Sequence, residues 1–192
     1  MKLTILTLFH EFPLTFIIRV TLTLAVFAAG AVFVVRLYKK DRIARSKMVL
    51  SIILWLYVLV VLYFTVIGRY SHEEYTVRLQ FFYSYRNYFL TGDEYELQGI
   101  IVNIVMFIPF ALMSAALFGD KKPVIITLVL GLSLTLIIEF LQLITHTGTF
   151  ETDDILNNLL GTMFGIVLWN ICDEIGIFKI DKNRGNENYE ET

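Results

Sequence analysis

Five long apolar stretches recur along this chain, and they restrict its possible folds more than any other feature. They cover about residues 14–37, 48–68, 98–118, 123–145 and 153–172. Each is close to the ~20 residues that an α-helix needs to cross the hydrocarbon layer of a bilayer. They are too long and too nearly free of charge for buried helices of a soluble core. We therefore predict an all-α integral membrane protein, a single domain built as a bundle of about five transmembrane helices.

Composition narrows the possible functions. The chain is 56% hydrophobic and 18% charged, which leaves no room for a second, soluble domain. Cys172 is the only cysteine, which excludes an intrachain disulfide and any multi-cysteine metal site. No HExxH motif, EF-hand spacing or phosphate-binding glycine loop is present. We expect no cofactor, no resident metal and no nucleic-acid partner, and we interpret the first apolar stretch as a retained helix rather than a cleaved signal peptide.

Basic residues predict the orientation. The segment between the first two stretches, RLYKKDRIARSK, holds six basic residues against one acid. Further basic residues lie in the turn after the third stretch and in the polar tail, 173–192: Lys121, Lys122, Lys179, Lys182 and Arg184. With five spans, all three segments fall on one side, which the positive-inside rule makes cytoplasmic. The expected topology is N-out/C-in, in the plasma membrane, with the connections 69–97 and 146–152 outside.

The outer connection 69–97 is rich in aromatic residues. It contains Tyr70, Tyr75, Phe81, Phe82, Tyr83, Tyr85, Tyr88 and Phe89. Amphipathic rings favour the headgroup layer, so one interpretation is a segment that lies on the outer leaflet. The other is a lid over a site between the helices. The sequence leaves both open.

Polar residues of three spans lie at one depth in this topology. Asn103 lies near the outer end of the third span, Glu139 and Gln142 near the outer end of the fourth, and Asp154 and Asn158 at the start of the fifth. Their faces agree as well, because two stripes follow helical spacing. These stripes are Gly131, Thr135, Glu139, Gln142 and His146 on the fourth span, and Asp154, Asn158, Gly161 and Gly165 on the fifth. We predict that the two stripes pack together and form an outer-leaflet polar cluster.

A purely structural explanation competes with a site. Asp153 and Asp154 are suited to capping their own helix, and membrane amides such as Asn103 and Gln142 often only bond across helices. Glu139 is costly within a span unless it has a partner or a task. Arg19, in the first span, is a candidate structural partner for it. Pro109 is expected to kink the third span, and Gly161 with Gly165 to allow close approach of a neighbouring helix.

The chemistry available to the cluster is that of carboxylates and amides. Glu139 or Asp154 are candidate catalytic acids or bases if burial shifts their protonation. His146, Glu151, Asp153 and Asp154 could supply ligands for a divalent ion, but their spacing matches no specific metal motif. Binding without catalysis is the alternative that we favour, and the question of an enzyme stays open.

Several of these segments in order resemble the VanZ-like membrane protein family. The segments are NIVMFIPFALM (103–113), EFLQL (139–143) and TDDILNNLLGTMFG (152–165), within a region of about 99–172. The positions that match the family pattern are Asn103, Phe107, Pro109, Glu139, Gln142, Glu151, Asp154, Asn158 and Gly161. Three departures stand out: Ala111 replaces the usual Gly, Glu151 replaces an Asp, and Gly148 stands where many members carry Arg.

The resemblance implies a function at the outer leaflet. It implies a Gram-positive plasma-membrane protein that contributes to low-level resistance to teicoplanin and other lipid-tailed glycopeptides. The expected partners are membrane lipids and an amphipathic ligand, either the lipoglycopeptide or a cell-wall precursor lipid. The ligand-binding residues would be Asn103, Glu139, Gln142, Glu151, Asp154 and Asn158. The alternative is an enzyme that modifies an envelope lipid or peptidoglycan precursor.

Overall fold

The structure, a computed structural model, describes residues 14–40, 43–69, 76–119 and 122–176. Its elements are, in chain order, α1 (Leu14–Lys39), α2 (Arg45–Leu62), β1 (Val77–Arg78), α3 (Tyr83–Thr91), α4 (Glu94–Leu117), α5 (Pro123–Thr145), β2 (Phe150–Glu151) and α6 (Thr152–Glu174). A π-helical turn, Tyr63–Ile67, continues α2. Residues 70–75 of the aromatic connection and 177–192 of the predicted tail, with their basic residues, lie outside the described residues.

Four of the described helices are long and apolar enough to cross a membrane. They are α2 with its π-helical turn, α4, α5 and α6, each of 23 or 24 residues. This confirms the prediction of an all-α, multi-pass membrane protein. The remaining long helix, α1, has 26 residues and covers the first predicted span. A two-residue parallel β-ladder between β1 and β2, which the sequence analysis did not predict, joins the connection before α3 to the one before α6.

Helix α4 contacts α2, α5 and α6 and carries much of the core. Phe107 is fully buried and packs with Phe110, whose ring centroid lies 5.8 Å away. Ile138 of α5 and Val61 of α2 belong to the same apolar cluster. Pro109 lies within α4, where it removes one backbone hydrogen bond without ending the helix. The outward faces of the helices are apolar and exposed, as expected for surfaces in contact with lipid.

Glycines set the spacing between α4 and α6. A Cβ added at Gly161 would collide with the carbonyl oxygen of Ile104, and one at Gly165 would collide with that of Ile108. The methyl group of Ala111 would lie 2.6 Å from the Cβ of residue 165, so both sides of this contact require small residues. The two glycines therefore face α4, whereas the sequence analysis had paired their stripe with the fourth span.

Helices α5 and α6 also meet, through a different pair of positions. A Cβ at Gly131 of α5 would lie 2.6 Å from the hydroxyl oxygen of Thr162 on α6. Both residues are buried, so the side chain of Thr162 fills the space that Gly131 leaves. The polar stripe of α5 is thus brought against α6, beside the contact between α6 and α4.

Candidate functional site

The ends of α2, α4, α5 and α6 surround a polar cluster beside the β-ladder. The ladder pairs Arg78 with Glu151, and one terminal nitrogen of Arg78 donates to both carboxylate oxygens of Glu151 at 3.1 Å. The guanidinium also lies over the ring of Tyr83, 4.2 Å from its centroid. Burial raises the pKa of the Glu151 carboxyl, although Arg78 acts in the opposite direction. The carboxylate of Glu151, a predicted ligand-binding group, is thus already paired.

Asp153 caps a helix, but not its own. Its carboxylate accepts hydrogen bonds from the main-chain N–H groups of Phe82, at 2.6 Å, and Ser84, at 2.9 Å. Phe82 has a left-handed backbone conformation (φ 60°) directly before α3, and Asp153 is buried. The first turn of α6 itself has no side-chain cap. Asp153 therefore caps a helix, as predicted, but the capped helix is the aromatic helix α3 and not α6.

A second bond attaches α3 to α6. The hydroxyl of Tyr85 donates to the side-chain oxygen of Asn157, which is fully buried. Burial, with a smaller contribution from the Asp153 carboxylate, raises the pKa of Tyr85, so its phenol keeps the proton that it donates. Sequence reasoning did not assign a role to Asn157 or Tyr85. The available signal was the spacing of Asn157, one helical turn after Asp153.

Glu139 lies at the centre of the cluster with 1% of its surface exposed. Its Oε2 accepts a hydrogen bond of 3.0 Å from the main-chain N–H of Glu151. On the same stripe, the hydroxyl of Thr135 accepts a bond of 2.7 Å from the side-chain amide of Asn158. The predicted meeting of the α5 stripe with Asn158 is therefore present in the structure.

Gln142 is anchored to α2, a helix that the sequence analysis had not brought to the cluster. Its Nε2 donates to the main-chain carbonyl of Thr65 at 3.0 Å. Thr65 lies in the π-helical turn, near the end of the helix, where carbonyl groups lack intrahelical partners. Gln142 is 3% exposed, so this bond is protected from water. The next residues end α5, because His146 has a left-handed backbone conformation (φ 56°).

Asp154 is partly buried beside the side chain of Asn103, which bonds with it. Asp154 and Glu139 are close enough to interact electrostatically, and each also interacts with the guanidinium of Arg69. Arg69 follows the π-helical turn and is exposed. It is a cation of the cluster that sequence reasoning did not select. Arg19, the counter-ion proposed from sequence, lies in α1, and its side chain is outside the described residues.

The side chain of Arg69 lies beside Gly148. A Cβ built at Gly148 would lie 3.4 Å from Nη1 of Arg69 and 3.2 Å from the amide carbon of Gln142. The resemblance places an Arg at position 148 in many family members; in this chain a positive charge lies beside that position on Arg69, which follows the π-helical turn. The only sequence signal for Arg69 was its position directly after the second span.

Three buried amide atoms of the cluster have no hydrogen-bond partner among the described residues. They are Oε1 of Gln142, Oδ1 of Asn158 and Nδ2 of Asn157. Buried polar groups in proteins are nearly always paired, so unpaired ones call for an explanation such as a ligand. Within the part of the chain that the structure describes, no three His, Cys, Asp or Glu side chains are arranged to hold a metal ion.

The sequence was also compared with known families. The sequence model of the VanZ/LLP1 family matches residues 48–173, about two thirds of the chain. This chain belongs to the VanZ/LLP1 family. The family match begins at the second predicted span, well before the region on which the resemblance rested, and it includes both Thr65 and Arg69. No curated protein matches the chain. No solved structure matches it.

The region that matches the VanZ/LLP1 family model contains every candidate site residue except Arg19. The polar cluster is formed by the parts of α2, α4, α5 and α6 within the matched region, together with both strands of the ladder. Chemically, the cluster offers two neighbouring carboxylates, unpaired amide oxygens and one guanidinium. These groups suit the binding of a polar headgroup, and the carboxylates suit proton transfer.

Proposed function

We propose that this VanZ-family membrane protein contributes to low-level resistance to teicoplanin and other lipid-tailed glycopeptides. It would do so by binding an amphipathic ligand, the drug or a cell-wall precursor lipid, in the polar cluster. The observation that carries the proposal is the pair of unpaired amide oxygens of Gln142 and Asn158, both at least 97% buried beside Glu139. A bound headgroup would supply the missing hydrogen-bond donors.

The proposal includes five spans, with α1 as the first, in the plasma membrane with an N-out/C-in topology. The basic segment after α1, together with the length of that helix, supports this orientation. The cluster then lies in the outer leaflet, where lipid-linked wall precursors are exposed to such drugs. Cysteine labelling with an impermeant reagent at Thr91, in a Cys172→Ala background, tests the orientation: labelling of intact cells is expected, and labelling only after permeabilisation would reverse it.

The aromatic helix α3 forms part of the proposed site. Its N-terminus is fixed to α6 by Asp153 and Asn157, and the rings of Phe89 and of Phe82, the residue before the helix, are exposed. We propose that this exposed face lies in the headgroup layer and contacts the apolar part of the ligand. The three hydrogen bonds to α6 favour a fixed wall of the site over a mobile lid.

Drug susceptibility tests the proposed function. A sensitive Gram-positive host would express wild type, Glu139→Gln, Asp154→Asn, or the control Asp173→Asn, which changes an exposed carboxylate at the other end of α6. Teicoplanin tolerance should fall at least fourfold with the first two variants and stay unchanged with the control, at equal membrane levels. Full tolerance in both cluster variants would contradict a role for the cluster.

The alternative is a membrane enzyme that modifies an envelope lipid or peptidoglycan precursor. The observation in its favour is the electrostatic interaction between the carboxyls of Glu139 and Asp154, a pair of groups that suits acid–base catalysis. Mass spectrometry of lipid and wall-precursor extracts separates the two functions. A new product that depends on Glu139 supports the enzyme, and identical extracts from wild type and Glu139→Gln exclude it in favour of binding.

A further inference from the structure

The charges around the polar cluster are unbalanced. Glu139 interacts with Asp154, Glu151 and Arg69, and Asp154 interacts with Glu151, Arg69 and Asp153. Glu151 is paired with Arg78, and Asp153 accepts two main-chain N–H groups. Among the described side chains, the carboxylates of Glu139 and Asp154 therefore share the guanidinium of Arg69. With both ionised, these two carboxylates and the guanidinium of Arg69 together carry one uncompensated negative charge.

The cluster also has hydrogen-bond acceptors that lack donors. The carbonyl of Thr65 only accepts hydrogen bonds, which fixes the amide of Gln142 with its nitrogen toward α2 and its oxygen away. The Gln142 oxygen and that of Asn158 are both acceptors without a donor in the described parts of the chain. Gln142 lies one helical turn from Glu139 on the same face of α5, so its unpaired oxygen belongs to the same cluster as the carboxylates.

A primary ammonium group supplies both the positive charge and the hydrogen-bond donors that these groups lack. It carries one positive charge and three N–H donors, and it has no acceptor that would meet the oxygens of the cluster. A quaternary ammonium has the charge without the donors, and a hydroxyl or N-acyl group has a donor without the charge. A phosphate or carboxylate alone would be repelled by Glu139 and Asp154.

We infer that the cluster of Glu139, Gln142, Asp154 and Asn158 binds the primary ammonium group of an amphipathic ligand. The inference rests on the proposed binding function and adds the chemistry of the headgroup. Exposed apolar side chains on the same part of α5, Phe140 and Ile144, provide a surface for the alkyl chain of such a ligand. The ammonium belongs either to a membrane aminophospholipid or to the drug or wall precursor itself.

Three amphiphiles of equal chain length test the inference on the purified full-length protein in detergent. The probes are dodecylamine, dodecyltrimethylammonium and N-acetyl dodecylamine, and binding is measured by calorimetry and by thermal shift. Dodecylamine should bind at least tenfold more tightly than either of the other two. Equal affinity for all three, or displacement of dodecylamine by millimolar Ca²⁺ or Mg²⁺, would overturn the inference without the use of any variant.

Variants then locate the binding site. Asp154→Asn and Glu139→Gln remove charge with little change of shape and should reduce the preference for dodecylamine at least tenfold. Asp173→Asn, on the same helix as Asp154 but exposed at its other end, should leave the preference intact. A preference that survives both cluster variants would place the ammonium elsewhere and overturn the inference.

Competition identifies the source of the ammonium. Displacement by phosphatidylethanolamine, but not by phosphatidylglycerol, points to a membrane lipid. Displacement by teicoplanin, but not by its N-acetylated form, points to the drug. Loss of drug tolerance in the cluster variants without any ammonium preference would support the resistance function while refuting this headgroup. An ammonium preference without an effect on tolerance would support the headgroup and refute the resistance function.

Discussion

The carboxylate of Asp153 accepts a hydrogen bond from the main-chain N–H of Ser84, 69 residues earlier in the chain. Both residues are buried, so the bond fixes the start of the aromatic helix α3 against the first turn of α6. The same first turn carries Asp154, which belongs to the polar cluster. Asp153 thus positions the aromatic helix, and the next residue, Asp154, contributes to the proposed binding site.

Removal of this cap should destabilise the protein markedly. Asp153→Ala leaves two main-chain N–H groups, those of Phe82 and Ser84, without an acceptor, which we expect to cost about 2–3 kcal/mol. Asp93→Ala is a matched control, because Asp93 caps α4 at an exposed position through Tyr95 and should cost only about 1 kcal/mol. Thermal unfolding in detergent and proteolysis within 79–92 measure both effects; equal losses for the two variants would contradict the assignment.

The contact between α4 and α6 predicts a contrast between two glycines. Gly161→Ala should destabilise the protein by about 2–3 kcal/mol, because the added methyl collides with the Ile104 backbone and forces the helices apart. Gly99→Ala, in α4, meets nothing within 4 Å and should be neutral or slightly stabilising. The melting temperatures of both variants in detergent provide the comparison. A harmless Gly161→Ala would show that the two helices are not in close contact.

Arg69 and residue 148 should be interchangeable as sources of positive charge. Arg69→Gln is expected to lower drug tolerance at least fourfold, because Glu139 and Asp154 lose their shared cation. Adding Gly148→Arg should restore tolerance, since position 148 lies 3.4 Å from the Arg69 guanidinium. Arg86→Gln, at an exposed position of α3, serves as the control. Drug susceptibility at equal expression measures the outcome. A double variant as sensitive as Arg69→Gln would show that an Arg at position 148 cannot replace Arg69.

The burial of the Glu151 carboxyl predicts a pH dependence of stability. Burial outweighs the attraction of Arg78 and raises the pKa of Glu151 from its usual 4.5. A carboxyl with a raised pKa in the folded state contributes stability below its unfolded pKa, and loses that contribution as the pH rises through the folded one. The melting temperature of wild type, relative to Glu151→Gln, should therefore fall as the pH rises above about 4.5. The control is Glu174→Gln, which changes an exposed carboxylate but keeps Glu151. Its melting temperature should follow that of wild type over the same pH range.

The sequence by itself determined the class of protein and the main members of the cluster. Long apolar stretches predict transmembrane helices because hydrocarbon cannot satisfy backbone polar groups in any open structure, and four such helices are present. Helical spacing was enough to place Thr135, Glu139 and Gln142 on one face, because that geometry is local. The approach of Asn158 to this stripe also agreed with the depth predicted for it from its place at the start of the last span.

Only the tertiary structure decided which helices meet and which groups pair. It directed Gly161 toward α4, Gln142 toward Thr65 and Asp153 toward α3. It also brought Arg69 beside Gly148 and engaged Glu151 with Arg78. These partners are far apart in the chain, and apolar faces of similar composition make many helix pairings compatible with one sequence pattern. Side-chain packing at small residues selects among those pairings, and that selection is a property of the assembled bundle rather than of any single helix.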